Sequence, residues 1–206
     1  MRGKFIAVEG IDGTGKSTLV RRLRNMLELE LGSQDVITTH EPSSIIEATI
    51  RNLFKREEGP LSPEAMSVLF TADRLLHMEQ VVAPAIEQGA WVITDRHKMS
   101  TLVYQTVNGS SSEVLKVLCD VPTPSPDFTI VLDVDPEIAR NRMKKRNSRL
   151  DSYERDMNKQ EEMRMLYSRW YDIFGPAVIL DADMDETDLA RKAVHRILEE
   201  FEIGKL

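Results

Sequence analysis

Several features are scarce in this chain, and each scarcity narrows what it can be. Among 206 residues there is one cysteine, Cys119. No disulfide can close within the chain, which fits a reducing compartment, and the thiol itself is expected as a small buried apolar group. No apolar run approaches the ~18 residues needed to span a bilayer, so no membrane partner is expected. The first strand-like run begins at Phe5, which leaves no room for a secretory signal and points to a cytoplasmic protein. Positive charge is also short: 27 Lys and Arg against 34 Asp and Glu give a formal net charge of −7. That balance argues against a general nucleic-acid binder, because phosphate backbones attract basic surfaces. Repeats and low-complexity segments are absent. His40, His77, His97 and His195 have no metal-ligand spacing. The ten methionines are scattered and read as packing residues.

What is present is a regular alternation of short apolar runs and helical patterns. Strands are expected at Phe5–Glu9, Asp35–Thr39, Ala90–Asp95, Phe128–Asp133 and Ala177–Leu180. Helices are expected at Lys16–Leu31, Ile45–Lys55, Ser62–Gln88, Ser100–Val107, Ser112–Cys119, Pro136–Lys145, Tyr153–Phe174 and Glu186–Phe201. Strands that are apolar throughout, each followed by a helix, indicate an α/β fold with a parallel sheet covered on both faces. The length suits one domain over residues 1–206. Pro84 falls inside a helical pattern and is expected to kink or end it. Pro122–Pro126, with three prolines, reads as a stiff connector.

The strongest motif is Gly10-Ile11-Asp12-Gly13-Thr14-Gly15-Lys16-Ser17-Thr18, which joins the first strand to the first helix. This GxxxxGKS pattern in that context is a phosphate-binding loop. Its glycines let backbone N–H groups turn inward at a helix N-terminus, Lys16 reaches the β- and γ-phosphates of a nucleoside triphosphate such as ATP, and Ser17 is suited to Mg²⁺. Ligands of parallel sheets gather outside the carboxyl ends of strands. Two more polar clusters fall there, His40-Glu41-Pro42 and Asp95-Arg96-His97.

Other residues carry two readings each. Asp95 and Asp133 both end apolar strands and either form suits a metal-side carboxylate or a simple cap; Asp95 is preferred because Arg96 follows, and an arginine there can hold a phosphate bidentately. Phe70 and Arg74 share a helix face at i and i+4, as do Thr101, Tyr104 and Gln105. From spacing alone, Phe70 is expected in the core and Arg74 in solvent, although the pair also suits stacking on a base and bonding its edge. Arg140, Arg142, Lys144, Lys145, Arg146 and Arg149 place six basic residues in ten positions. They form a solvated helix face, a nucleic-acid patch or, in a phosphoryl-transfer enzyme, a lid, about residues 142–153, that closes over a triphosphate. Asn158-Lys159-Gln160-Glu161 lacks the final aspartate of a guanine-specifying motif and sits in a helical pattern.

Taken together, these segments resemble the thymidylate kinase family of phosphate-loop nucleoside monophosphate kinases, along nearly the whole chain. The carriers are the Phe5–Thr18 opening, Leu69-Phe70-Thr71-Ala72-Asp73-Arg74, the stretch Asp95–Gln105, Leu132–Glu137 and Arg149-Leu150-Asp151. The resemblance implies transfer of the γ-phosphoryl group of ATP to dTMP with Mg²⁺, in a homodimer. It implies that Asp12 contacts the sugar 3′-hydroxyl and Arg96 the acceptor phosphate. Phe70 and Arg74 would meet the base, with Glu41 nearby. Ser100 or Thr101 would meet the pyrimidine edge, and Tyr104 would crowd the 2′ position. Gly13 stands where some members carry an arginine, so the catalytic cation would come from Arg142, Arg146 or Arg149. Three departures stand out: Ser43-Ser44-Ile45 replaces a glycine-rich segment, Ser148 precedes Arg149, and Met157–Met163 contains no aromatic residue. The alternatives are a kinase for dUMP, UMP or CMP, and, in other classes, a nucleotide switch or a nucleic-acid-binding ATPase. If the loop carries the chemistry, Lys16→Ala abolishes ATP-dependent transfer and leaves the circular-dichroism spectrum unchanged; near-normal turnover would remove the loop from the mechanism.

Overall fold

A computed structural model describes residues 2–32, 35–53, 61–145 and 156–204. Five strands, β1 (Phe5–Glu9), β2 (Val36–His40), β3 (Trp91–Asp95), β4 (Phe128–Asp133) and β5 (Ala177–Asp181), form one sheet in the order β2-β3-β1-β4-β5. Every pairing is parallel, with Ile6 beside Ile93 and Phe128, and His40 beside Asp95. β1, β3 and β4 are buried on both faces, which is why they read as unbroken apolar runs. Successive side chains alternate across the sheet. Ile6, Val8 and Ile93 belong to the cluster holding Leu19, Leu23 and Leu27 of helix α1 (Lys16–Leu31). Phe5 and Val92 meet Met78, Val82 and Ile86 in a second cluster.

Among the described residues the further α-helices are α2 (Glu47–Leu53), α3 (Pro63–His77), α4 (Ala83–Glu87), α5 (Lys98–Val107), α6 (Ser112–Cys119), α7 (Pro136–Lys145), α8 (Met157–Trp170) and α9 (Glu186–Glu200). Four of the described helices have side-chain N-caps: Ser62 for α3, Ser111 for α6, Asp156 for α8 and Asp185 for α9, each oxygen accepting an otherwise unpaired first-turn N–H. Pro84 does not end the helical path. The backbone widens into a π-helical turn at Met78–Val82, with Ala83 N–H donating to the Met78 carbonyl, and continues through α4. A π turn shifts the hydrogen-bond ladder by one residue, which accommodates the missing proline N–H. Cys119 is half-buried and unpaired, more open than expected. The Pro122–Pro126 stretch has no regular structure, but its carbonyls are used: Thr123 O accepts from Lys98 Nζ and Pro124 O faces His97 Nε2 at 3.1 Å.

The phosphate loop is seated against α7 as well as the sheet. Gly13 lies at φ +81°, and a Cβ built there would stand 2.5 Å from the Ala139 carbonyl oxygen. The turn therefore needs glycine twice over, for its left-handed backbone and for the approach of α7. Gly109, at φ +90°, has nothing within 4 Å of such an atom. Both alanine substitutions carry backbone strain on the order of 1–3 kcal/mol, and only Gly13→Ala adds the clash. Thermal unfolding should show Gly13→Ala losing several degrees more than Gly109→Ala; equal losses would mean that α7 is not held at this distance.

Candidate active site

The strand ends of β1, β2 and β3 open on a cleft of about 830 Å³ lined by Asp12, Lys16, Ser17, Glu41, Asp95 and Arg96, with Arg21, Arg24 and Arg51 on its outer wall. Such a volume suits a small-molecule ligand. Lys16 is buried and donates to the carbonyls of Gly10 (3.1 Å) and Ile11 (2.7 Å). Burial and the charge of Arg96 lower its pKa to about 8, against the opposing pull of Asp12 and Asp95. Ser17 Oγ donates to Asp95 Oδ2 at 2.6 Å. Asp133 is engaged elsewhere, in a two-point pair with Arg164 of α8 (2.6 and 3.0 Å). Of Asp95 and Asp133, then, only Asp95 bonds to the loop. Hard oxygen donors of this kind fit Mg²⁺, which takes few protein ligands and fills its shell with phosphate oxygens and water. Among the described residues no group of three or more His, Cys, Asp or Glu side chains could hold a metal by itself.

Arg96 is the most constrained residue in the cleft. Its φ is +76°, a conformation a bulky residue adopts only when its surroundings impose it. Its N–H donates to Val8 O (2.9 Å), and its own carbonyl accepts from Thr94 Oγ1 (3.0 Å). The guanidinium reaches Ser100 Oγ (2.9 Å) through Nη1, and Asp12 Oδ1 (2.5 Å) and Tyr104 OH (3.0 Å) through Nη2. Tyr104 OH in turn donates to Asp12 Oδ2 (2.7 Å). Burial alone would raise the Asp12 pKa, but Arg96, Lys16 and these hydrogen bonds hold it down to about 2.

Behind Arg96 lies Glu9, only 1% exposed. One carboxyl oxygen accepts the N–H groups of His97 (2.8 Å) and Ser100 (3.2 Å) at the start of α5; the other accepts Ser100 Oγ–H (2.5 Å) and faces Tyr167 OH at 3.4 Å. Burial outweighs these donors and lifts its pKa to about 7.

A second buried acid organises the neighbouring corner. Glu41 pairs with Arg74 Nε (2.9 Å) and His97 Nδ1 (2.9 Å) and lies 3.5 Å from His77 Nδ1. Burial opposes its ionisation, yet Arg74 and His97 hold the carboxyl well below the usual range. Arg74 is only 3% exposed and reaches Thr101 Oγ1 at 2.6 Å through Nη2. Phe70, one turn earlier, is half-buried. The expected arrangement is thus inverted, with the arginine inside and the ring at the margin. Glu41, just past the end of β2, is what makes a buried Arg74 tolerable. The Ser43-Ser44 departure is anchored here too, with both N–H groups and the Ser44 hydroxyl donating to Asp73 (3.1, 2.9 and 2.5 Å).

Of the candidates named from sequence, Gly13, Gly15, Lys16 and Ser17 of the loop share the main cleft with Asp12, Glu41, Asp95 and Arg96, while Thr14 and Thr18 face a second cavity. Arg74 adjoins the main cleft through Glu41 and Thr101 through Arg74, and neither these nor Phe70 is part of its lining. Ser100 is turned toward Glu9 and Arg96, which leaves Thr101 as the hydroxyl beside Arg74. Arg142 is placed apart, donating to Ala182 O (2.8 Å) and lining the second cavity, of about 250 Å³, with Thr14, Thr18, Lys145 and Met184. Arg146, Arg149 and residues 146–153 of the expected lid lie outside the described residues. Sequence reading gave no role to Glu9, His77 or Tyr167, and named Asp73, His97 and Gln105 without assigning them one. For Glu9 a signal existed, an acid in an otherwise apolar strand; Gln160, Met163 and Tyr167 also recur at helical spacing along the buried side of α8.

The comparisons agree on one family. A family model described as thymidylate kinase matches residues 8–193. The chain is 37% identical over 153 residues to a thymidylate kinase of Buchnera aphidicola, covering 71% of this chain and 72% of that protein. It is 34% identical over 188 residues to a probable thymidylate kinase of Pyrococcus abyssi (88% and 89% covered), and 32% identical over 208 residues to one of Methanosarcina mazei (97% of each).

The pKa of Glu9 gives a pH test of this site. Its ordinary value is 4.5 and the folded protein holds it near 7. Between those values the unfolded chain ionises first, so stability falls as pH rises through the window, by about 3 kcal/mol in total. Glu9→Gln has nothing to ionise. Its Tm relative to wild type should rise by several degrees between pH 5 and pH 8; a constant difference would show that Glu9 is not held protonated.

Proposed function

This chain belongs to the thymidylate kinase family, and we propose how its residues carry out that family's reaction, transfer of the γ-phosphoryl group of ATP to dTMP to give ADP and dTDP. The observation that carries the reading is a convergence. The phosphate loop and Arg96 share one cleft, and the Arg74–Thr101 pair stands beside it with a half-buried Phe70 at its margin.

In this reading Arg96 takes the acceptor phosphate. Asp12 now fills part of that role, and the incoming phosphate replaces it on the guanidinium, freeing the carboxylate for the sugar 3′-hydroxyl. Tyr104, held on Asp12 and under the Arg96 guanidinium (4.8 Å from ring centre), packs beside the sugar. Phe70 stacks on the base, while Arg74 and Thr101 meet its edge. Gln105, one turn beyond Thr101, is buried with its carboxamide oxygen unpartnered among the described residues, and it adds an acceptor suited to a base N–H. The second cavity, on the other side of the loop, suits the donor nucleoside, with Arg142 on its wall.

The attacking atom is an oxygen of the acceptor phosphate. Its second pKa is about 6, so it is ionised near neutrality and needs no general base. That oxygen bonds to the γ-phosphorus as the bond to the β–γ bridging oxygen breaks, and ADP leaves with the electron pair. Catalysis is alignment and charge neutralisation by Lys16, the loop N–H groups and Arg96, with Arg146 and Arg149 as further cations. Ser17 and Asp95 would hold Mg²⁺, which when bound neutralises charge on the donor phosphates. The homodimer, a single domain with a lid over about residues 142–153, a cytoplasmic location and the absence of a nucleic-acid partner belong to the same proposal. Among the described residues no helix is long and apolar enough to cross a membrane.

A coupled ADP-release assay with Mg-ATP across dTMP, dUMP, UMP, dCMP, CMP, AMP, GMP and thymidine tests this directly. A clear preference for dTMP is expected. Preference for another monophosphate would make Ser43-Ser44 and Gln105 the places to look for altered specificity, and acceptor-independent turnover would contradict the kinase reading.

A further inference from the structure

Tyr167 belongs to α8, lies 158 residues from Glu9 in the chain, and is 2% exposed. Its hydroxyl stands 2.8 Å from Ser100 Oγ. A serine hydroxyl has one hydrogen and two lone pairs, and Ser100 Oγ has three neighbours at hydrogen-bond distance: Glu9 Oε2 (2.5 Å), Tyr167 OH (2.8 Å) and Arg96 Nη1 (2.9 Å). The guanidinium can only donate. An ionised Glu9 can only accept, so it takes the serine hydrogen. One lone pair remains, and Tyr167 must fill it as a donor. The three bonds exhaust the hydroxyl and fix its orientation.

We propose that Tyr167 is a positioning residue for the acceptor-phosphate arginine, its hydroxyl locking Ser100 so that Ser100 holds Arg96. Remove that hydroxyl and Ser100 Oγ keeps an unfilled lone pair in a buried site, where an unmet polar group is costly. Arg96 then loses the fixed orientation of its nearer Nη1 acceptor and is left to the longer bond from Nη1 to Gly10 O (3.4 Å) and to Asp12 and Tyr104 on Nη2. Tyr167 can serve as an anchor because α8 is pinned one turn earlier, where Arg164 grips Asp133 at the end of β4. α8 also follows directly in the chain after the segment bearing Arg146 and Arg149. The same helix thus ties the acceptor arginine to the part of the sequence that supplies the further cations.

This inference rests on the reading of Arg96 as the phosphate ligand, and its test separates a positioning role from a packing role. Tyr167→Phe keeps the ring and removes the hydroxyl. Calorimetry at pH 8, above the pKa of Glu9, compares dTMP with thymidine, which lacks the phosphate. Expected is a loss of roughly 10-fold in dTMP affinity with thymidine unchanged within about twofold, the size of one hydrogen bond to a charged group. An equal loss for both ligands, or no loss for either, would overturn the proposal. Steady-state kinetics of a double-mutant cycle give a second reading: in a Ser100→Ala background Tyr167→Phe should cost nothing further in kcat/KM for the acceptor. A full cost there would mean that Tyr167 acts independently of Ser100. If wild-type protein binds thymidine and dTMP equally, Arg96 is not the phosphate ligand; the preceding reading then fails, and with it this one. If it prefers another pyrimidine monophosphate, only the acceptor assignment fails, and the comparison is made with that nucleotide and its nucleoside.

Discussion

A carboxylate buried at the end of the central strand is the constraint on which the rest of the site depends. Burying an acid without hydrogen-bond partners is costly, so Glu9 fixes where its partners must be. Two of them are backbone N–H groups at His97 and Ser100, so the first turn of α5 has to lie over the end of β1. Meeting that requirement forces the chain to turn sharply after β3, and Arg96 takes up the turn at φ +76°. The same acid draws in the Ser100 hydroxyl and, next to it, the Tyr167 hydroxyl from α8. One buried group thereby sets the path of the backbone into α5, the orientation of Arg96 and the seat of a helix far along the chain.

The Glu41 corner repeats the principle. There the acid comes from the end of β2, gathers His97 and Arg74, and leaves Arg74 facing Thr101. His97 joins the two corners, since its N–H goes to Glu9 and its ring to Glu41. Buried ion pairs contribute little net stability, because the desolvation of both charges offsets their attraction. What they supply here is fixed geometry, with two arginine guanidinium groups held in place before a ligand arrives. Preorganisation of that kind is what phosphoryl transfer requires of a protein, because the chemistry is alignment and charge neutralisation.

The sheet, the phosphate loop and several of the helices were legible from sequence because each depends on local pattern. Phe5–Glu9, Lys16–Leu31, Phe128–Asp133, Ser112–Cys119 and Pro136–Lys145 are found with the expected ends. The residues that make the site a network were not legible, because their partners are distant in sequence. Arg74 reads as a solvent residue until Glu41, 33 positions away, is placed beside it. Asp95 and Asp133 have the same form and differ only in what folds against them, Ser17 for one and Arg164 for the other. Tyr167 carries no local sign of its role. Its helical spacing announces a buried face, and burial alone does not distinguish a packing ring from a hydroxyl that completes a hydrogen-bond chain. The proline at position 84 shows the converse, where a strong local signal was absorbed by one π turn.

The central claim is that Arg96 is poised for the acceptor phosphate, held by Ser100 on one side and temporarily by Asp12 on the other. The most direct test is a crystal structure with dTMP bound. The account predicts that the Asp12–Arg96 contact opens, that the phosphate takes its place on Arg96, and that the Ser100–Arg96 bond persists while Phe70 covers the base. A nucleotide bound with the Asp12–Arg96 pair intact and its phosphate on other residues would contradict it.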